Sequence, residues 1–208
     1  MKHTLNILAQ FISILCYPLF VPAYGMLLWC LSMHQRMALP DAYWWVSIGG
    51  TLFLTCLLPL SLILMMIHRG QVDNLYIDNP RQRTTPYIYS IVGFGFWCYL
   101  LASILHVPAW FISVACGATI ALILVTIINR WWKISAHLTA WGGLVGGVCT
   151  FALQIGMASL LPIYILLVLS LLLMWARLYV NAHDPWQVIA GYGLGFVSTL
   201  MPSLIIHA

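Results

Sequence analysis

Apolar residues run along this chain in long blocks instead of alternating with polar ones. Seven such blocks stand at about residues 5–33, 42–67, 86–106, 108–129, 139–159, 161–179 and 186–206, with polar stretches between most of them. Most are near the 20 or so residues that a helix rising ~1.5 Å per residue needs to cross a ~30 Å hydrocarbon layer. Blocks that are apolar all round, without a polar face, predict helices surrounded by lipid and by one another. The expected fold is an all-α, polytopic membrane bundle of about six to seven transmembrane helices, with residues 1–208 forming one transmembrane domain. The first block departs from the pattern. Its 29 residues exceed one straight crossing and Pro18 and Pro22 interrupt it, so an interfacial helix followed by a shorter span is expected there. Lys2 before an apolar run resembles a signal peptide, but no small-x-small cleavage site follows, so the segment is expected to stay as an anchor.

Composition strengthens this picture. Hydrophobic residues make up 63% of the chain and charged ones 6%, against roughly a quarter charged in soluble domains. No soluble domain is expected, and no nucleic acid is expected as a partner. Bilayer lipids are the expected surroundings, with a homo-oligomer or a larger membrane complex left open. All six cysteines lie in apolar segments without C-x-x-C spacing, which predicts buried inert thiols and neither disulfides nor a metal site; no cofactor is expected. Trp44, Trp45, Trp131 and Trp132 at block ends predict an aromatic belt. Gly142, Gly146, Gly191 and Gly195, spaced by four, predict close helix packing.

The charges are unevenly placed. Counting crossings puts the amino terminus and the loops 68–85, 130–138 and 177–185 on one side of the bilayer. Lys2, Arg69, Arg81, Arg83, Arg130, Lys133 and Arg177 fall on that side, and only Arg36 on the other. The positive-inside rule alone would make this the cytoplasmic face. The alternative is an anion site built from arginines, and histidines and helix-start residues beside the cations favour it. His68, beside Arg69 at a block end, is expected in the headgroup layer; His3, His34, His106 and His207 are expected in solvated or interfacial places.

Three loops carry the chemistry. The first ends in Arg81-Gln82-Arg83-Thr84-Thr85-Pro86, with Thr-Pro at a helix start. The second, Lys133-Ile134-Ser135-Ala136-His137, leads into a glycine-rich helix. The third runs from Arg177 through His183 to Asp184-Pro185-Trp186-Gln187, a capping-box pattern with proline at the first helical position. Three helix N-termini beside arginines, facing the same aqueous side, are suited to phosphate.

Arg177, five residues, His183, three residues and Gln187 resembles the third signature of the phosphatidic acid phosphatase type 2 superfamily, in which an aspartate stands where this chain has Gln187. Ile134-Ser135-Ala136-His137 is similar to that family's second signature, and Arg81-x-Arg83-x-x-Pro86 echoes the first loosely; the likeness covers residues from about 78 to 195. The resemblance implies a bacterial inner-membrane lipid phosphatase without a metal, acting on the phosphate or diphosphate of a lipid that arrives sideways from the bilayer. It makes Arg177 and Ser135 phosphate ligands, His183 the nucleophile and His137 the general acid. Arg81, Arg83 and Lys133 join the phosphate ligands by charge and position. Undecaprenyl diphosphate, phosphatidylglycerol phosphate, phosphatidic acid and a lipid A phosphate are all compatible substrates.

Two residues keep two readings each. Gln187, four residues after His183, can reach back to orient the imidazole or can cap the last helix; Asp184 can supply the missing carboxylate or serve as the N-cap. A catalytically impaired relative that binds lipid headgroups, alone or as a subunit of a membrane complex, is the competing function. A transporter ranks third because the charges lie in loops instead of mid-span. The membrane face carrying the site stays open.

Overall fold

The computed structural model describes residues 2–75, 77, 79–156 and 159–205, with the side chains of Pro80 and Arg81 excepted. Asp78, His207 and the Arg81 side chain therefore lie outside the described residues. Every regular element among those described is helical, and seven stretches are long and apolar enough to span a membrane. The chain is a multi-pass helical membrane protein.

The first stretch is two helices. α1 (Lys2–Leu15) buries only Ala9 and Ser13, four residues apart on one stripe, and α2 (Val21–Met33) begins after a 3-10 turn at Pro18–Phe20. Pro18 and Pro22 each take an early position of a helical element, where their missing N–H is not needed. The break at residues 16–20 thus comes from the prolines that interrupt the apolar block.

α3 (Asp41–Thr51) and α4 (Leu58–His68) form one long rod joined through a π-helical segment, Leu52–Leu57. Pro59 has no N–H and its ring would press on the carbonyl four residues back, and a widened turn is how a helix absorbs both. α5 (Thr84–Ser103), α6 (Ala109–Ile128), α7 (Ala136–Ile155), α8 (Leu161–Tyr179) and α9 (Pro185–Ile205) complete the bundle. These bounds agree with the expected blocks to within about four residues. The start of α7 differs in a way that matters for chemistry, because it is three residues earlier than the apolar pattern suggests and so takes His137 into its first turn.

α7 is the central helix. In its most apolar window 56% of residues are buried, against 22–33% for the other spans. Glycine permits this. A Cβ added at Gly195 would run into the Thr139 carbonyl oxygen, and one at Gly142 into that of Tyr192. Gly146 faces Phe196 and Thr199, and Gly191 faces Ser135, slightly less closely, so α7 and α9 touch backbone to backbone, as the small-residue spacing predicts. The Thr199 hydroxyl donates to the Gly143 carbonyl across the same seam at 3.0 Å.

The aromatic belt needs one correction. Trp45 and Trp131 are more than 70% exposed, as expected, but Trp44 is 5% exposed. It packs against Trp29 with ring centroids 5.5 Å apart, inside a cluster of α2, α3, α5 and α6 side chains. Position at a block end says nothing of which way a ring turns.

Candidate functional site

The spacing Arg177-x5-His183 has a local cause. α8 ends in a Schellman turn, in which the Ala182 N–H donates to the Arg177 carbonyl (3.1 Å) and the Asn181 N–H to that of Leu178 (3.0 Å). Asn181 takes the left-handed conformation, φ 53°, that this turn requires and that asparagine tolerates. The chain folds back over the last turn of α8, and two residues after Asn181 comes His183. Arg177 and His183 therefore border one cavity although six positions separate them.

α9 then starts with a complete reciprocal cap. The Gln187 N–H donates to Asp184 Oδ1 at 2.9 Å, and Gln187 Oε1 accepts from the Asp184 N–H at 3.3 Å. The same Oε1 accepts from His183 Nδ1 at 3.0 Å. Gln187 thus fills both places foreseen for it, cap and imidazole partner. Asp184 is exposed and its carboxylate is used by the cap; of its two readings the structure gives it the N-cap.

His183 Nδ1 also lies 3.1 Å from the Lys133 carbonyl oxygen. Two oxygen acceptors at one ring nitrogen place the proton on Nδ1 and leave the lone pair on Nε2. The imidazole is 8% exposed. Burial is the main reason its pKa is pulled down to about 4; the Gln187 bond pushes up, and the nearby Arg177, Arg83 and Lys133 charges push down. At neutral pH it is a neutral base with one defined basic nitrogen.

His137 comes from the first turn of α7. Ser135 caps that helix, its hydroxyl accepting from the Leu138 N–H at 3.5 Å, and the Ser135 N–H donates to the Gln187 carbonyl at 3.2 Å, pinning the starts of α7 and α9 together. The His137 ring is 6% exposed. Its Nε2 donates to the Ser13 carbonyl of α1 at 3.2 Å, and the Tyr17 ring meets it edge-on with centroids 5.6 Å apart.

Arg83 reaches the same place from the 3-10 turn Pro80–Arg83 before α5. It is 6% exposed and its Nε donates to the Ile77 carbonyl at 2.7 Å. Ile77 holds φ 46°, a conformation a β-branched residue takes at a cost of order 1–3 kcal/mol, and it turns that carbonyl toward the guanidinium. The Tyr87 hydroxyl lies in hydrogen-bonding contact with Arg83.

Arg83, His137, Arg177 and His183, with Tyr17, Tyr87 and Ser90, line one cavity of about 70 Å³. At 10–15 Å³ per water-sized group this has room for roughly five heavy atoms, the size of a phosphate. No acid is among the described residues that line it. Two guanidinium groups facing a small, half-open space, with two imidazoles beside them, make an electropositive pocket in which a multivalent anion can be held by charge-assisted bonds.

Two expected ligands take other places. Ser135 is fully buried and its hydroxyl serves the α7 cap. Lys133 contributes its backbone carbonyl to His183, and its side chain is not among those lining the cavity. Tyr17 was not foreseen. It donates its hydroxyl to the Leu75 carbonyl at 2.6 Å, tying the break after α1 to the loop before α5. A polar ring beside the two prolines that interrupt the first block was the available signal.

Comparison of the chain with protein-family models, with curated proteins and with solved structures gives no match.

Proposed function

We propose that the protein is a membrane lipid phosphatase of the phosphatidic acid phosphatase type 2 kind, working without a metal in a bacterial inner membrane. The observation that carries the reading is the single cavity onto which Arg83, Arg177, His137 and His183 converge from three separate parts of the chain. Metal-free phosphoryl transfer needs cations that hold the phosphate, an unprotonated nucleophile and a second group that moves a proton.

In this reading Arg83 and Arg177 clamp the phosphate oxygens, and the Nε2 lone pair of His183 attacks phosphorus. The P–O bond to the lipid breaks as the P–N bond forms, and the leaving oxygen takes a proton from His137. With its Nε2–H held by Ser13, His137 exchanges that proton through Nδ1, as an imidazolium that the incoming phosphate charge favours. Water then adds to phosphorus, the P–N bond breaks, and His137 takes the water's proton. Gln187 orients the nucleophile without adding charge. A carboxylate there would stabilise the positive ring that forms on attack, so the glutamine predicts a slower enzyme.

The test is phosphate release by purified protein from a panel of lipid phosphates and diphosphates. Activity that resists chelators, is blocked by vanadate and is lost in His183→Ala supports the reading. Wild-type protein that binds the panel and hydrolyses none of it would instead make the chain a headgroup-binding relative. Activity that survives His183→Ala would refute the phosphohistidine route.

A further inference from the structure

The phosphate-sized cavity abuts an apolar one. It shares Pro18, Leu19, Tyr87, Ser90 and Ala136 with a second, half-open cavity of about 260 Å³ bordered mainly by α2, α5, α6 and α7. Along α7 its wall is one stripe of helical spacing in which Ala136, Ala140, Gly143 and Gly147 keep the space open and Phe151 closes it. From Ala136 to Phe151 is ~22 Å along the helix axis, well beyond half of a ~30 Å hydrocarbon layer. The far end is a floor of paired rings. Trp29 lies against Phe111 at 4.7 Å between centroids, and Trp110 against Phe151 at 5.6 Å.

The walls are apolar in chemistry as well as in composition. The hydroxyls of Thr51, Thr55 and Ser90, which border the space, each donate to a carbonyl of their own helix at 2.7–2.9 Å, and that of Thr199 to the Gly143 carbonyl of α7 at 3.0 Å. Those hydroxyl protons are spent on the backbone and are not offered to a polar occupant. At the same 10–15 Å³ per group the volume holds roughly 17–26 carbon-sized groups, enough for one long chain and too few for two.

Resting on the phosphatase reading, we infer that this trough takes one extended hydrocarbon chain of the lipid whose phosphate sits among the arginines, and that the ring floor sets the longest chain accepted. The shared wall supplies the occupant: a headgroup held by Arg83 and Arg177 sits against the five residues that also border the apolar space. The substrate class is then a lipid phosphate with at least one unbranched or polyprenyl chain of about 16–20 carbons in register with the trough. Any second chain stays in the surrounding bilayer.

The experiment measures kcat/KM on single-chain phosphates of about 8, 16 and 24 carbons, chosen to underfill, match and overrun the ~22 Å trough. The matched chain should exceed both others by tenfold or more. Ala140→Phe, which obstructs the trough midway, should reverse the order of the short and matched chains. Phe151→Ala should move the preference toward the longest chain, and Leu171→Phe on the exposed face of α8 should leave the order as it is. A matched-chain phosphate with a photoreactive tail should label residues around Phe151 in the wild-type protein, and a phosphate headgroup competitor should prevent it. Tail labelling confined to outward residues such as Leu171, with turnover intact, or a chain-length order indifferent to Ala140→Phe, overturns the trough and leaves the phosphatase standing. Headgroup-dependent labelling at the floor without hydrolysis of any chain overturns the phosphatase and leaves the trough.

Discussion

Replacing Gln187 by glutamate tests the site where its chemistry is most specific. The wild-type amide oxygen sits 3.0 Å from His183 Nδ1, so the isosteric carboxylate keeps the contact and adds a charge. An opposite charge this close raises an imidazole pKa by about 1–3 units, which would lift His183 from about 4 to about 5–7. If Nε2 must be unprotonated to attack, the acid-side loss of wild-type activity sets in only on approaching pH 4. The Gln187→Glu variant should lose activity at higher pH, its acid limb moving up by at least one unit, while its rate at pH 8 equals or exceeds that of wild type. The carboxylate can also stabilise the cationic ring formed on attack, worth about tenfold in rate per ~1.4 kcal/mol. Phosphate release measured from pH 4 to 9 with a matched lipid phosphate, alongside thermal unfolding to show that the variant is folded, reads both effects. An acid limb that stays put in a folded variant would refute the assignment of His183 as the group that must be neutral, and with it the tautomer argument.

Gln187→Leu removes one of two Nδ1 acceptors and half of the α9 cap while the Lys133 carbonyl remains, so turnover should drop about tenfold and stability by ~1 kcal/mol, read as kcat and midpoint of unfolding. Asp184→Ala should cost ~1 kcal/mol of stability through the cap and Asp184→Asn much less, with activity following stability; a large activity loss in a stable Asp184→Asn protein would return that carboxylate to the mechanism. Gly195→Ala drives a methyl group into the Thr139 carbonyl and should cost 1–3 kcal/mol or more, lowering the unfolding temperature and separating the two histidines; a neutral outcome would contradict the backbone contact of α7 and α9. Because burial depresses the folded-state pKa of His183 from about 6.5 to about 4, its contribution to stability is full above pH 6.5 and is lost as pH falls toward 4. That loss is on the order of 3 kcal/mol, and His183→Phe should flatten this part of the pH–stability curve.

Local chemistry in the chain decided a good deal. The apolar blocks specify helices because each is long enough to satisfy its own backbone bonds in lipid, and that requirement is met residue by residue. Asp184-Pro185-Trp186-Gln187 specifies the start of α9, and Asn181 suits the turn that brings His183 back toward Arg177; both depend only on neighbours within a few positions. The glycine spacing on α7 and α9 forecast their close approach for the same reason, since a missing side chain is visible in the sequence. The tertiary structure decided what those pieces meet. No periodicity says that the Lys133 carbonyl and the Gln187 amide share one imidazole proton, because a backbone carbonyl is the same in every residue and only packing selects which one is near. Ser135 and Lys133 carry side chains suited to phosphate, yet the bundle uses one as a helix cap and the other through its main chain. Tyr17, Ser13 and the ring floor belong to segments whose contacts lie 40 to 125 positions away, where the geometry follows from how whole helices stack and not from any local preference.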